Sequence, residues 1–113
     1  MIPKIREIWL VSFSFSDLTA TKLRPALVIA NHGEEIIIIG IFSKIPHETL
    51  KETWALVSEN NPQFQETGLK KTSLIRADKI ATLSQFVFKK KLGVLSVDLM
   101  EKVNLALKKS LNL

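Results

Sequence analysis

In the stretch FSFSDLTATKLRPALVIAN, from Phe13 to Asn31, a hydroxyl-rich polar segment runs into Arg24, then Pro25, then an apolar run. A guanidinium stays charged at any working pH and offers planar donors that match two phosphate oxygens. Pro25 restricts the backbone of the residue before it and so limits where Arg24 points. A fixed cation at the mouth of a buried element is the layout of a phosphate site. The same donors would also suit a structural arginine that ties the loop down by hydrogen bonds.

Other side chains that bear on chemistry are few. The chain has no cysteine, which excludes disulfides and thiolate metal sites and fits a reducing, cytoplasmic setting. His32 and His47 are far apart and sit in turn-like contexts, so no metal site is expected, and no cofactor. As a loop imidazole His47 has acid–base capacity, but an exposed bystander is the simpler reading. Ser43 carries a hydroxyl that can donate to a phosphate oxygen but is no strong acid or base without a neighbour to activate it. Trp9 and Trp54 read as core or dimer-interface aromatics.

These residues need elements to hold them. Glu7–Phe13 (EIWLVSF) is short and rich in large apolar residues and reads as a first strand. Phe15–Leu23 lacks an apolar period and favours a loop through Ser16, Asp17, Thr19 and Thr21. Pro25 opens the next strand, continued by Ala26–Ala30, and His32–Glu35 is a hairpin turn around Gly33. Four consecutive isoleucines make Ile36–Phe42 the central strand. A polar connection follows over Ser43–Thr53, then a strand at Trp54–Val57 and a loop over Ser58–Gln63. Ser73–Leu83 reads as two short strand pieces joined by a bend. Phe86–Phe88 is a short apolar run before Lys89–Lys91, which Gly93 breaks. Ser96 caps a final helix in which Leu99, Met100, Val103, Ala106, Leu107 and Leu111 recur mostly every three or four residues. Strands in succession followed by one helix predict an α+β, mainly β fold of five to seven antiparallel strands, a curled sheet or small barrel with the helix laid across it.

At 113 residues, 46% of them hydrophobic and 24% charged, the chain has the size of a single domain. MIPKIREIWLVSF carries Lys4, Arg6 and Glu7 and has no long apolar run, so neither a signal peptide nor a membrane-spanning helix is expected. The net charge of +5 is unevenly spread: residues 1–66 hold six Lys/Arg against eight Asp/Glu, residues 67–113 ten against three. That polarity suits an acidic partner, whether a nucleic-acid backbone or an acidic protein tail; a solvated basic face is the plain alternative.

The segment IREIWLVSFSFSDLTATKLRPALVIAN resembles the amino-terminal signature of the PemK/MazF family of toxin endoribonucleases, a strand and an aromatic-and-hydroxyl loop followed by Lys/Arg-x-Arg-Pro-Ala-Leu-Val. The later blocks IIIIGIFSK and GLKKTSLIRADKIATL, the basic KKKLG turn and the terminal helix follow in the family's order. The resemblance covers nearly the whole chain. It implies a small SH3-like barrel that forms homodimers and cleaves single-stranded RNA without a metal, as the toxin of a type II toxin–antitoxin system, restrained by a cognate antitoxin with an acidic tail.

Carried onto this chain, the resemblance makes Arg24 the group that stabilises the phosphorane formed when a ribose 2′-hydroxyl attacks phosphorus. The family commonly places a Thr-Ser or Ser-Ser pair at the end of the third strand; this chain has Phe42-Ser43, leaving Ser43 as the second catalytic candidate. Neighbouring strand residues face opposite sides, so the shift from one position to the next matters. The loop Phe13–Lys22 would border the RNA, with Phe15 stacking on a base, Phe13 in the core, and Ser16, Asp17, Thr19 and Thr21 reading base edges. Lys22 and Lys44 add positive charge, and Lys70, Lys71, Arg76, Asp78 and Lys79 line the RNA groove or the antitoxin site. Two other readings keep the same barrel: a non-catalytic toxin such as a CcdB-like inhibitor of DNA gyrase, and a nucleic-acid binder with no toxin role.

Overall fold

Isoleucine at four successive positions puts branched side chains on both faces of one strand, which suits an element covered on both sides. In the computed structural model, which describes residues 2–14 and 22–113, that strand lies inside a six-stranded antiparallel sheet. The strands are β1 (Glu7–Phe13), β2 (Lys22–Asn31), β3 (Glu35–Phe42), β4 (Trp54–Val57), β5 (Ser73–Ser84) and β6 (Phe88–Val94), and one helix, α1 (Val97–Leu111), follows them. Their order across the sheet is β4-β5-β3-β2-β1-β6. The expected strand count and terminal helix are borne out, but the barrel does not close: β4 and β6 are the two edges and do not pair with each other.

The sheet has two packed faces. On one, Ile8, Leu27, Ile39, Ile41, Val57 and Ile75 meet the buried side of α1, formed by Leu99, Met100, Val103 and Ala106. On the other, Trp9, Val11, Ala26, Val28, Ile36, Ile38 and Phe88 form a second cluster, with Trp9 edge-on to Phe88 at 6.1 Å between ring centroids. The helix starts as expected, Leu99 N–H donating to the Ser96 hydroxyl at 3.2 Å, with Asp98 in its first turn and Lys108 and Lys109 in its last.

Several boundaries differ from the sequence expectation. β2 begins at Lys22, three residues before Pro25, because Lys22 to Arg24 pair with Phe13 to Val11 of β1. The hairpin turn falls where expected, with Gly33 at φ +89°. Ser73–Ser84 is one continuous strand whose bend is a bulge: Ile80 faces Ile39 and Arg76 faces Gly40, putting Ala77, Asp78 and Lys79 out of register. The Lys89–Lys91 segment is not a turn but part of β6, opposite β1, and Gly93 lies within that strand rather than ending it. A basic edge strand discourages further pairing, and Gly93 is required because an added Cβ would lie 2.1 Å from the Glu66 carbonyl oxygen of the 3₁₀ turn Gln65–Thr67.

Candidate functional site

Strand alternation and the β5 bulge together build a cationic groove on the second face of the sheet, beyond the cluster that holds Trp9. Val11 of that cluster pairs with Arg24, and Ala26, two residues on, pairs with Gly40. Gly40 faces Arg76, and Arg76 faces Trp54, so Ala26, Gly40, Arg76 and Trp54 form one row across β2, β3, β5 and β4. Phe42 follows two residues after Gly40, and the pleat returns it to the same face. Arg24, Phe42, Lys44, Pro46, Trp54, Leu74, Arg76 and Lys79 line a groove of about 440 Å³.

Within it, rings and cations alternate. The Arg24 guanidinium carbon is 5.9 Å from the Phe42 ring centroid and that of Arg76 is 5.5 Å from it. Arg76 also lies 4.7 Å from the Trp54 ring, and the Lys51 ammonium lies 5.4 Å from the same ring. These are cation–π distances. Asp78 fixes the arrangement: Arg76 donates to it through Nε at 3.2 Å and Nη2 at 2.7 Å, and the Trp54 indole N–H donates to the same carboxylate at 3.0 Å. The Arg76 hydrogen bonds hold the Asp78 carboxyl below its ordinary range, against partial burial and with help from the Trp54 N–H.

Arg24 has no such carboxylate partner among the described residues. Its Nε is buried and has no hydrogen-bond partner among the described residues. A charged donor left this way has unused capacity for an anion.

Arg24 and Ser43 do come near a common space. Phe42 ends β3 and Ser43 follows it exposed, lining a second hollow of about 360 Å³ with Leu10, Pro25, Leu69, Lys70, Lys71 and Lys90. A smaller hollow of about 310 Å³ at the ends of β2 and β3 is lined by both Arg24 and Ser43, with Lys44 beside them. Lys44, Arg76 and Lys79 therefore gather with Arg24, whereas Lys70 and Lys71 gather with Ser43. Lys22 is exposed opposite Phe13 at the start of β2, and Phe13 packs, partly buried, against the Trp9 cluster. Phe15, Ser16, Asp17, Thr19 and Thr21 lie outside the described residues. His47 is exposed.

Sequence reasoning missed two members of the groove. Trp54 was expected in the core or at a dimer interface; Trp9 is in the core, but Trp54 is half-buried on the groove wall. The run WALV gives no sign of this, because a ring at the end of a short apolar strand reads the same on either face. Phe42 was expected only as the residue standing in place of a hydroxyl. The available signal was alternation, which puts Phe42 on the face of Arg24 and Ser43 on the other. Among the described residues, no cluster of three or more His, Asp or Glu side chains could hold a metal ion.

An open antiparallel sheet, a helix on one face and a cationic, aromatic-lined groove on the other define the class: a small, mainly β protein with a cationic groove. Residues 4–111 match the family described as PemK-like, MazF-like toxin of type II toxin–antitoxin system, and the chain belongs to that family. The fold is shared with solved structures of low sequence identity. One is an endoribonuclease in complex with its cognate antitoxin from mycobacterial species, 21% identical with a TM-score of 0.73, covering 98% of this chain and 96% of that one. Another is the Mycobacterium tuberculosis toxin MazF-mt6, 18% identical with a TM-score of 0.71, covering 96% and 98%. A third is a MazE–MazF structure from Deinococcus radiodurans, 14% identical with a TM-score of 0.70, covering 100% and 98%. No curated protein matches the chain in sequence.

Proposed function

We propose that this toxin-family chain is an endoribonuclease that cuts single-stranded RNA, messenger RNA included, without a metal, and that a cognate antitoxin with an acidic tail restrains it in the cytoplasm. Arg24 carries the proposal: among the described residues its Nε is buried and unpartnered, in a groove with the cations Lys44, Arg76 and Lys79. Phosphodiester cleavage needs such charge where the phosphorane forms.

In the proposed step the ribose 2′-oxygen attacks the adjacent phosphorus and the bond to the 5′-oxygen breaks. The 2′-hydroxyl proton passes to solvent and the departing 5′-oxygen takes one up. The products are a cyclic 2′,3′-phosphate, which water opens to a 3′-phosphate, and a 5′-hydroxyl. Arg24 binds the non-bridging oxygens as their charge grows, Ser43 donates a hydrogen bond from the shared hollow, and Lys44 adds charge. Lys22, Lys44 and Lys79 track the backbone, Arg76 contacts the RNA from the groove wall, and the Lys70–Lys71 hollow serves the antitoxin's acidic tail or the continuing RNA strand. Asp78 contributes by holding Arg76. The single 113-residue domain acts as a homodimer.

Incubating the protein with a long single-stranded RNA in EDTA tests this. Fragments bearing 5′-hydroxyl ends are expected. Arg24→Ala is expected to lower the rate about 10²- to 10³-fold, as loss of one preorganised donor does, and Ser43→Ala to lower it less. If both variants cut at the wild-type rate, the assigned site is wrong. Phe42 between two guanidinium groups favours one further reading, a groove that binds without cutting. Intact RNA that remains bound selects that reading.

A further inference from the structure

The row of rings and cations across β2 to β4 is more ordered than backbone binding requires. Phosphate tracking needs mobile charge at the surface, whereas here Asp78 accepts three N–H donors and so locks both Arg76 and Trp54 in place. Arg76 spends its strongest donors on that carboxylate rather than keeping them for phosphate. What the lock preserves is a pair of flat surfaces, the Trp54 indole and the Arg76 guanidinium, on the wall of a groove of about 440 Å³. A volume in that range suits a nucleotide-sized ligand.

The polar character of the groove is one-sided. Among the described residues, no side chain lining it carries a hydrogen-bond acceptor, while Arg24, Lys44, Arg76 and Lys79 carry donors. Asp78, the neighbouring carboxylate, is already engaged. Donors without acceptors favour a base edge with carbonyl oxygens and disfavour one with an exocyclic amine.

We infer that the Trp54–Arg76 pair, held by Asp78, is a base-recognition subsite that stacks one unpaired nucleobase and prefers a carbonyl-edged base such as uracil over an amino-edged one such as cytosine. Trp54 and Arg76 are the contacting groups and Asp78 is a positioning residue. The inference rests on the reading that single-stranded RNA occupies this groove, and it adds where and how a base is chosen.

Two uncleavable probes test it, 2′-O-methyl oligouridylate and 2′-O-methyl oligocytidylate, with an abasic oligomer of equal length as control. Trp54 is half-buried on the groove wall and Trp9 is buried in the core, so fluorescence quenching on titration reports the subsite. Oligouridylate is expected to quench and to bind at least about tenfold more tightly than oligocytidylate, the discrimination a well-placed hydrogen-bonded edge gives. The abasic oligomer is expected to bind weakly without quenching.

Trp54→Ala is expected to lower oligouridylate affinity about 5- to 150-fold, the range for one lost stacking contact, with the slope of log K against log salt unchanged. Lys44→Ala is expected to reduce that slope by about one. Asp78→Asn is expected to weaken uridylate binding while leaving abasic binding as it was, which a merely structural role would not do. The inference fails if the two oligomers bind equally, if the abasic oligomer quenches, or if Trp54→Ala binds as wild type. The probe comparisons use the unaltered protein and do not depend on how any variant folds. If they fail while wild type still cuts RNA, the endoribonuclease reading stands without the subsite; if wild type neither binds nor cuts RNA, both fall.

Discussion

Arg24 is both the best candidate for chemistry and a stability cost in the unbound protein. A buried donor without a partner among the described residues costs about 1–3 kcal/mol, so Arg24→Leu is expected to leave the thermal midpoint unchanged or raise it while the cleavage rate falls about 10²- to 10³-fold. A drop in midpoint would show that Arg24 is a structural tie. Two glycines give a contrast in mechanism. An alanine Cβ at Gly93 would lie 2.1 Å from the Glu66 carbonyl oxygen and 2.5 Å from the Thr67 carbonyl carbon, neither of which is a flexible side chain. At Gly33, φ is +89° but no atom lies within 4 Å of the added Cβ. Gly93→Ala is therefore expected to cost the upper part of the 1–3 kcal/mol range for overpacking, and Gly33→Ala about 1 kcal/mol of backbone strain. Urea titration of both variants measures the difference. At this scale the sequence revealed its cations: Arg24, Lys44, Arg76 and Lys79 each stand out by type. It did not reveal Trp54, whose ring looks the same facing core or groove, nor that Lys70 and Lys71 would gather with Ser43 instead of Arg24.

β6 is the element the sequence hid most, and Glu7 shows how it is held. Glu7 is buried on β1 and accepts from the Trp9 indole at 2.9 Å, the Lys4 backbone N–H at 2.8 Å and the Lys91 ammonium of β6 at 3.0 Å. Burial pushes its carboxyl pKa up, but those three donors outweigh it and hold the value below the ordinary one. A carboxyl depressed in the folded state stabilises the fold above its unfolded value near 4.5 and loses that contribution as pH falls through the lower folded value. Wild-type stability is thus expected to decline below about pH 4.5, and Glu7→Gln to flatten that decline; equal acid dependence in the two would exclude Glu7 as its source. Three lysines in succession read as a turn because no apolar alternation marks a strand whose outward positions are charged. β1 and β4 were legible to the residue, and so was the start of α1. Ser96→Ala is expected to cost about 1 kcal/mol, the usual loss of a serine cap, read by thermal denaturation.

For the whole molecule, the groove draws its cations from both parts of the chain, Arg24 and Lys44 from residues 1–66 and Arg76 and Lys79 from residues 67–113. Arg24, Lys44 and Lys79 line it without an ion pair among the described residues, while Arg76 is paired with Asp78. Three or four neutralised phosphates on a single strand give an expected slope of log K against log salt between about −2 and −3. Filter binding across salt concentrations measures it, and a slope near zero would place RNA off this groove. The charge asymmetry between the two parts of the sequence did not say which cations would converge. That follows from pairing: Trp54, Arg76, Gly40 and Ala26 come from four strands and meet only because the registers align them.

The strand succession, the capped terminal helix and Arg24 before Pro25 are legible without the fold, because they depend on local periodicity, side-chain type and backbone restriction. Which side of the sheet each neighbour faces, and what it meets there, is fixed only once the strands pair. Phe42 and Ser43 are adjacent in the chain, yet the ring meets Arg24 and Arg76 while Ser43 lines both the hollow of Lys70 and Lys71 and the one it shares with Arg24. The bulge over Ala77–Lys79 brings Asp78 within reach of both Arg76 and Trp54. No local pattern encodes that meeting, because it is set by hydrogen-bond register between strands distant in sequence.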